Sequence, residues 1–440
     1  MENGENNHHS SEENLKPFNH QEHLKKYEIN KKKAMITIML CIFIDVLGYS
    51  MILPLMPSIV LEAFDGSNFT IGILIATNAM SALIFAPIWG KLSDHYGRKP
   101  FLIVSQMGTL AAFLLLGFST TLEMVFYSRI LDGIFGGQIP IIRAYVIDIT
   151  EKKSRSSEMG KFSGVIAVGI IFGPAIGGLL GFINWRYPLF IASLLSLITI
   201  LFTLSFIKES MPRQRVLDIK KRKEDNRERN INQKPVIFQK QVAIRLLQAF
   251  LLIFVFVMIN TSFPLVTYLR YGFNVAMIGL FASLFGILAM ITGGFLVKPM
   301  VKKWGEKLML SFSIILAIVV FMAYPFLYTT WSLFIFIVPY VVCHILTRAI
   351  IISNLTNSVD EDQQGTVSGW TTNMQAIAQI LAPIIAYSYL EIWMINFLGI
   401  SFDAYFMIGL TCVFTTLVLL ALVVYDMKLH PEIFTHEIEI

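Results

Sequence analysis

Twelve predominantly apolar stretches, each about the length that crosses a lipid bilayer, run through this chain. They cover about 34–60, 70–90, 100–118, 122–148, 161–182, 187–207, 242–269, 274–297, 307–328, 331–353, 366–389 and 403–425. About 20 apolar residues in a helix span the hydrocarbon core of a membrane. A helix also satisfies its own backbone hydrogen bonds there, and none of the stretches shows the strict alternation of a membrane β-strand. The expected fold class is therefore all-α integral membrane, with twelve transmembrane helices. Composition agrees: 55% of the 440 residues are hydrophobic and 15% are charged, against about 25% charged in an ordinary soluble domain. Such a chain excludes a disordered protein, a disulfide scaffold and a typical soluble enzyme. Its three cysteines, Cys41, Cys343 and Cys412, all fall inside apolar stretches. They read as small buried hydrophobes, with no disulfide, metal or cofactor expected.

The basic residues orient the spans. Lys and Arg crowd the 1–33 tail, the loops at 91–100, 151–161 and 298–307, and the long segment at 208–241, whereas the alternate loops hold only Arg186 and Arg270. Basic loops stay on the cytoplasmic side, so both termini are expected there. The acidic loop at 354–365, with Asp360, Glu361 and Asp362 and no cation, runs against the trend. The net charge of +5 then needs no nucleic acid. The expected organisation is a disordered cytoplasmic tail (1–33), a six-helix bundle (34–207), a cytoplasmic linker (208–241), a second six-helix bundle (242–425) and a second tail (426–440). The halves echo one another: Gly160-Lys-Phe-Ser-Gly164 precedes Pro174, and Gly365-Thr-Val-Ser-Gly369 precedes Pro383. Duplicated halves with a cavity between them are a habit of transporters.

Four constellations carry candidate chemistry. In span 1, Asp45 lies roughly 16 Å in from Ala34 at 1.5 Å per residue, near mid-membrane, with Gly48 and Tyr49 beyond it. An acid at that depth must be protonated, paired or wet, and is a functional candidate by default. In span 4, Arg129 and Asp132 stand one helical turn apart. Arg129 stays charged and needs a partner, for which Asp132, Asp45 and a substrate are the candidates. Between spans 2 and 3 runs Gly90-Lys-Leu-Ser-Asp94-His-Tyr-Gly97-Arg98-Lys99, in which Asp94 can pair with Arg98. In span 5, Gly169, Gly173, Pro174, Gly177 and Gly178 form a string; the glycines at 169, 173 and 177 give one smooth face for close helix packing, and the proline kinks the helix. Simple packing and a gating hinge are equal readings of that string. Tyr49 and His344 are further candidate cavity residues. For His344 and Arg348 in span 10, a satisfied buried histidine and a cytoplasmic-end anchor are favoured over a cavity lining.

Taken in chain order, IDVLGYSMILPLMP, FAPIWGKLSDHYGRKP, SRILDGIFGG with AYVIDIT, and GIIFGPAIGG resemble the twelve-helix drug:proton antiporters of the major facilitator superfamily, the tetracycline/proton exporters above all. The resemblance implies two pseudo-symmetric six-helix bundles, the major facilitator fold. It implies that Asp45 carries a proton or engages substrate and that Arg129 tunes proton transfer. It implies that Asp94, Arg98 and Asp148 form a charge relay latching the outward-open form, with Asp94 beside the start of helix 11 near Gly365. The span 5 string is in that family a mark of antiporters. Asp132 departs from the pattern, because many members carry Gln or a small residue there.

The expected function is secondary active transport: proton-coupled antiport, in the efflux direction, of small, often amphipathic or drug-like molecules. The expected partners are the lipid bilayer, a small-molecule substrate and protons, with the chain acting as a monomer in the plasma membrane rather than an organelle. A proton-independent facilitator or metabolite symporter on the same fold, and a non-transporting receptor or scaffold, are the alternatives. The chain shows no phosphate-cradling loop, metal-ligand cluster or nucleophile–base string, so an enzyme is not expected. Asn68-Phe-Thr70 is a glycosylation sequon, meaningful only in a eukaryote.

Overall fold

A computed structural model describes residues 25, 29–210, 240–359, 363–397 and 400–430. Most of the 1–33 tail and of the 208–241 linker, the acidic triad Asp360–Asp362 and the last ten residues lie outside the described set. Among the described residues twelve helices are long and apolar enough to cross a membrane: α1 (Lys31–Leu55), α2 (Asn68–Tyr96), α3 (Arg98–Gly117), α4 (Leu122–Ile149), α5 (Ser157–Ile183), α6 (Tyr187–Phe206), α7 (Lys240–Tyr271), α8 (Val275–Trp304), α9 (Glu306–Phe326), α10 (Thr330–Asn357), α11 (Thr366–Ile392) and α12 (Ala404–Leu429). Each coincides with one apolar stretch to within seven residues at either end, because length and continuous apolarity are what a lipid-spanning helix requires. An antiparallel hairpin, β1 (Met394–Phe397) and β2 (Ile400–Asp403), joins α11 to α12 with Met394 opposite Asp403.

The helices pack in two sets that meet along two seams, α2 on α11 and α5 on α8. One end of the bundle carries the basic loops; we call it the basic end and the other the far end. At the far end an apolar cluster is shared by both sets, running from Leu55 of α1, Met56 just beyond it and Ile71 of α2 to Leu265 of α7, Ile278 of α8 and Tyr387 of α11. Toward the basic end the core divides. Ile38, Ile141, Tyr145 and Phe162 belong to one cluster of the first set, whereas Leu310, Leu346, Ile350 and Val423 belong to a separate cluster of the second.

Glycine placement follows the same division. A side-chain carbon added at Gly178 would meet the Gly279 Cα at 2.9 Å, and one at Gly72 would meet the Pro383 carbonyl oxygen at 3.0 Å, so the seams are tight at the far end. At the basic end Gly90, Gly160, Gly164 and Gly369 have open space around them. The bundle is closed at the far end and open at the basic end.

Two helices, α4 and α8, are interrupted in mid-span. α4 is broken at Gly136 and Gly137, between Phe135 and Gln138. A break exposes carbonyls that lipid cannot satisfy, and neighbours supply the donors: Trp89 Nε1 of α2 donates to Ile134 O at 2.5 Å, and Ser105 Oγ of α3 donates to Phe135 O. α8 carries a π-helical turn at Thr292–Leu296, a widening that is often found at functional positions.

Candidate functional site

The break in α4 decides what Asp45 touches. Because the helix restarts at Gln138, that side chain turns toward α1, and its Nε2 donates to Asp45 Oδ1. Asp45 is half-buried and borders a small polar recess with Cys41, Gln106, Thr109, Gln138 and Thr199. The Gln106 amide, Thr109 Oγ1 and Gln138 Oε1 in that recess have no hydrogen-bond partner among the described residues. Buried polar groups in proteins are rarely left so, and a recess of this kind suits water beside the carboxylate. Asp45 makes no ion pair among the described residues.

One turn before the break, Arg129 and Asp132 are 3% and 6% exposed. Arg129 Nη1 lies 3.5 Å from Asp132 Oδ2, and Asn78 Nδ2 of α2 donates to the same oxygen at 2.9 Å and to Arg129 O at 3.2 Å. Of the three partners open to Arg129 in the sequence, the structure joins it to Asp132, while Arg129 Nη2 has no partner among the described residues. Asp132 is within electrostatic reach of both Asp45 and Tyr49. Tyr49 is 42% exposed.

The span 5 glycines seat α5 on the helix that carries Asp45. Side chains added at Gly169, Gly173 and Gly177 would run into Val46, Leu47, Ser50 and Met51 of α1, and Ser50 Oγ donates to Gly169 O at 3.1 Å. Gly178, on a different face, meets α8 across the seam. The string thus fixes α1 within one set and the contact between sets at once.

At the basic end the structure brings Asp94, Arg98 and Asp148 together. Arg98 Nη2 lies 2.6 Å from Asp94 Oδ1 and its Nε 3.3 Å from Asp148 Oδ2; Nη1 donates to Ser93 Oγ at 2.7 Å. Gly97 links α2 to α3 with φ +104°, a conformation only glycine adopts without strain. The sequence reading missed Glu209, whose carboxylate accepts from Arg98 N at 2.7 Å and Lys99 N at 3.0 Å, satisfying the first donors of α3 as an anion at a helix N-terminus does. It also missed Ser210, which donates to Asp148 at 3.1 Å. The available signal was an acid placed directly after span 6 beside a free helix start. The expected neighbour of Asp94 at the start of α11 involves Gly365, whose surroundings are outside the described set.

His344 is remote from this constellation. It is 5% exposed, stacks on Phe256 at 4.1 Å and lines a pocket between α7, α9, α10 and α12, within the second set. Its Nε2 has no partner among the described residues, so it is not the satisfied histidine favoured from sequence. Arg348, one turn further along α10, is exposed. Near the basic end of the second set is a pair the sequence did not suggest. Arg245 of α7 and Asp426 of α12 are both fully buried and joined by two hydrogen bonds of 3.0 and 3.3 Å. Arg245 also donates to Asn354 O of α10 at 3.3 Å.

Comparison with known proteins places this arrangement. A sequence profile described as Major Facilitator Superfamily matches residues 38–383. The chain is 30% identical over 365 residues to the class H tetracycline resistance protein of Pasteurella multocida, covering 81% of this chain and 90% of that one. It is 30% identical over 370 residues to multidrug resistance protein 2 of Bacillus subtilis (strain 168), covering 82% and 90%. Among solved structures, a bacterial homolog of the human lysosomal transporter Spinster, in an inward-facing and occupied conformation, superposes with TM-score 0.72 at 15% identity, covering 91% of this chain and 98% of the other.

Proposed function

Because the chain belongs to the major facilitator superfamily, we propose that it is a proton-coupled antiporter that expels small amphipathic, drug-like molecules by alternating access. The relatives that resist tetracycline and other drugs support the cargo class. Positive charge at one end of the bundle supports a cytoplasmic basic end, with both termini there and the chain in the plasma membrane, acting as a monomer. The structure then corresponds to the state that receives cargo from inside. The two six-helix sets, 34–207 and 242–425, rock about the centre while the 208–241 segment tethers them.

The observation that carries the reading is Asp45, a carboxyl group midway along α1 whose hydrogen-bond partner is the neutral Gln138. An ionised carboxylate in a low-dielectric layer is costly without a partner. A proton supplies one and a positive group of the cargo supplies another, and the two exclude each other. Arg129 with Asp132 sets the potential around that choice. Asp94, Arg98 and Asp148 bias which end of the molecule is closed, through the link between α2 and α3 that they hold.

The test is exchange in proteoliposomes. A pH gradient imposed across vesicles holding the wild-type chain should drive cargo movement against its gradient. Asp45→Asn should abolish that coupling while the protein remains folded in the membrane. Full proton-driven transport by Asp45→Asn would remove Asp45 from the mechanism.

A further inference from the structure

The gap between the two helix sets holds a charge imbalance. α4 packs against α2 and α3 and touches α5, and α10 packs against α9, α8 and α7 and touches α11. Since α2–α11 and α5–α8 are the seams, α4 and α10 form opposite walls of the gap that opens at the basic end. Each wall carries one arginine, Arg143 on α4 and Arg348 on α10. They sit about 9 Å and about 14 Å above the basic ends of their helices at 1.5 Å per residue. Their places in the duplicated halves correspond, because Arg143 precedes Gly160 by the same interval that Arg348 precedes Gly365.

Both side chains are exposed. On α4 the Arg143 neighbours Ile141, Ile142, Tyr145 and Val146 are committed to the core. Arg348 is exposed on α10, one turn beyond the buried His344. Among the described residues neither arginine makes an ion pair or a hydrogen bond. Arg143 lies over the Phe162 ring at 5.7 Å. Other deep arginines differ: Arg98, Arg129 and Arg245 each have a carboxylate. Two uncompensated guanidinium groups between low-dielectric walls concentrate anions, and their planar donor forks match carboxylate, sulfonate and phosphate oxygens.

We propose that Arg143 and Arg348 form an anion-binding vestibule, so that the preferred cargo is an amphiphile that carries an anionic group besides its positive one, the anionic group held at these arginines and the positive group directed toward Asp45. The proposal rests on the efflux reading and narrows its substrate class. An anionic lipid headgroup presents the same chemistry, and the experiment separates the two sources.

The probes are a dansyl-labelled alkylsulfonate and a dansyl-labelled alkyltrimethylammonium of equal chain length. Their binding to the full chain is followed by fluorescence anisotropy in phosphatidylcholine nanodiscs. The wild type should favour the sulfonate by about tenfold or more. Arg143→Gln and Arg348→Gln should each weaken sulfonate binding about tenfold and leave ammonium binding within about twofold. Arg348→Lys, which keeps the charge, should retain most of the preference and controls for misfolding. Equal affinity for both probes, or variants that weaken both alike, overturns the proposal. So does displacement of the sulfonate by phosphatidylglycerol at ordinary membrane fractions, which would make this a lipid site. Proton-driven exchange is measured separately in vesicles. Exchange of the ammonium probe without sulfonate preference sinks the vestibule alone. Sulfonate preference without any proton-driven exchange sinks the efflux reading and leaves the vestibule standing.

Discussion

At the scale of single residues, Gly97 has the most exacting position. Its φ of +104° is closed to other residues at a cost of about 1–3 kcal/mol. A methyl group there would also stand 2.8 Å from Glu209 Cδ, pushing away the carboxylate that satisfies the first amides of α3. Gly97→Ala should therefore lower stability in mild detergent by about 1–3 kcal/mol, read as a shift in thermal or urea unfolding. Glu209→Gln, which keeps the acceptor oxygens in part, should lose less. The relay beside it was partly legible in the sequence. Asp94 and Arg98 are four residues apart on a recognisable string, and Asp148 came through family resemblance. Glu209 was not legible, because it approaches Arg98 from 111 residues away and only the fold sets that distance. Asp45 could be found by depth alone, but its partner Gln138 could not, since contact depends on where α4 breaks.

At the scale of elements, the spanning helices were readable nearly to their ends, whereas their irregularities were not. Apolar length is written locally. The break at Gly136–Gly137 is stable only because Trp89 and Ser105 on other helices take the freed carbonyls, and the β1–β2 hairpin depends on cross-strand pairing that an apolar loop does not advertise. The packing of the second set also rests on a contact between distant residues, the Arg245–Asp426 pair that ties α7 to α12 and, through Asn354, to α10. Breaking one side of a fully buried ion pair strands a charge and costs about 3–5 kcal/mol. Asp426→Asn should destabilise the protein to that extent. Arg245→Met combined with Asp426→Leu should recover most of the loss, because apolar replacement of the whole pair removes the desolvation penalty with it. Unfolding of the three variants in detergent decides this.

At the scale of the whole molecule, the two seams control access. Gly279 meets Gly178 and Pro174 with no room for a side chain, and Asn68 Nδ2 donates to Leu390 O at 3.1 Å while Phe69 N donates to Glu391 Oε2 at 3.1 Å. Gly279→Leu should hold the far end apart. With Asn68→Cys and Leu390→Cys, a short bifunctional thiol reagent should link the seam and stop transport until the link is cleaved, and adding Gly279→Leu should lower the yield of that link. Duplication of the halves was visible from the two Gly-x-x-Ser-Gly strings, but which helices meet across the interface was not, because glycine faces look alike until a partner occupies them.

The amide of Asn68 is the atom to which an oligosaccharide would be attached at the Asn-Phe-Thr sequon. In the closed far end it is spent on the Leu390 carbonyl. A sugar tree at that nitrogen would stand in the seam like a doorstop, so a glycosylated copy should resist closing there.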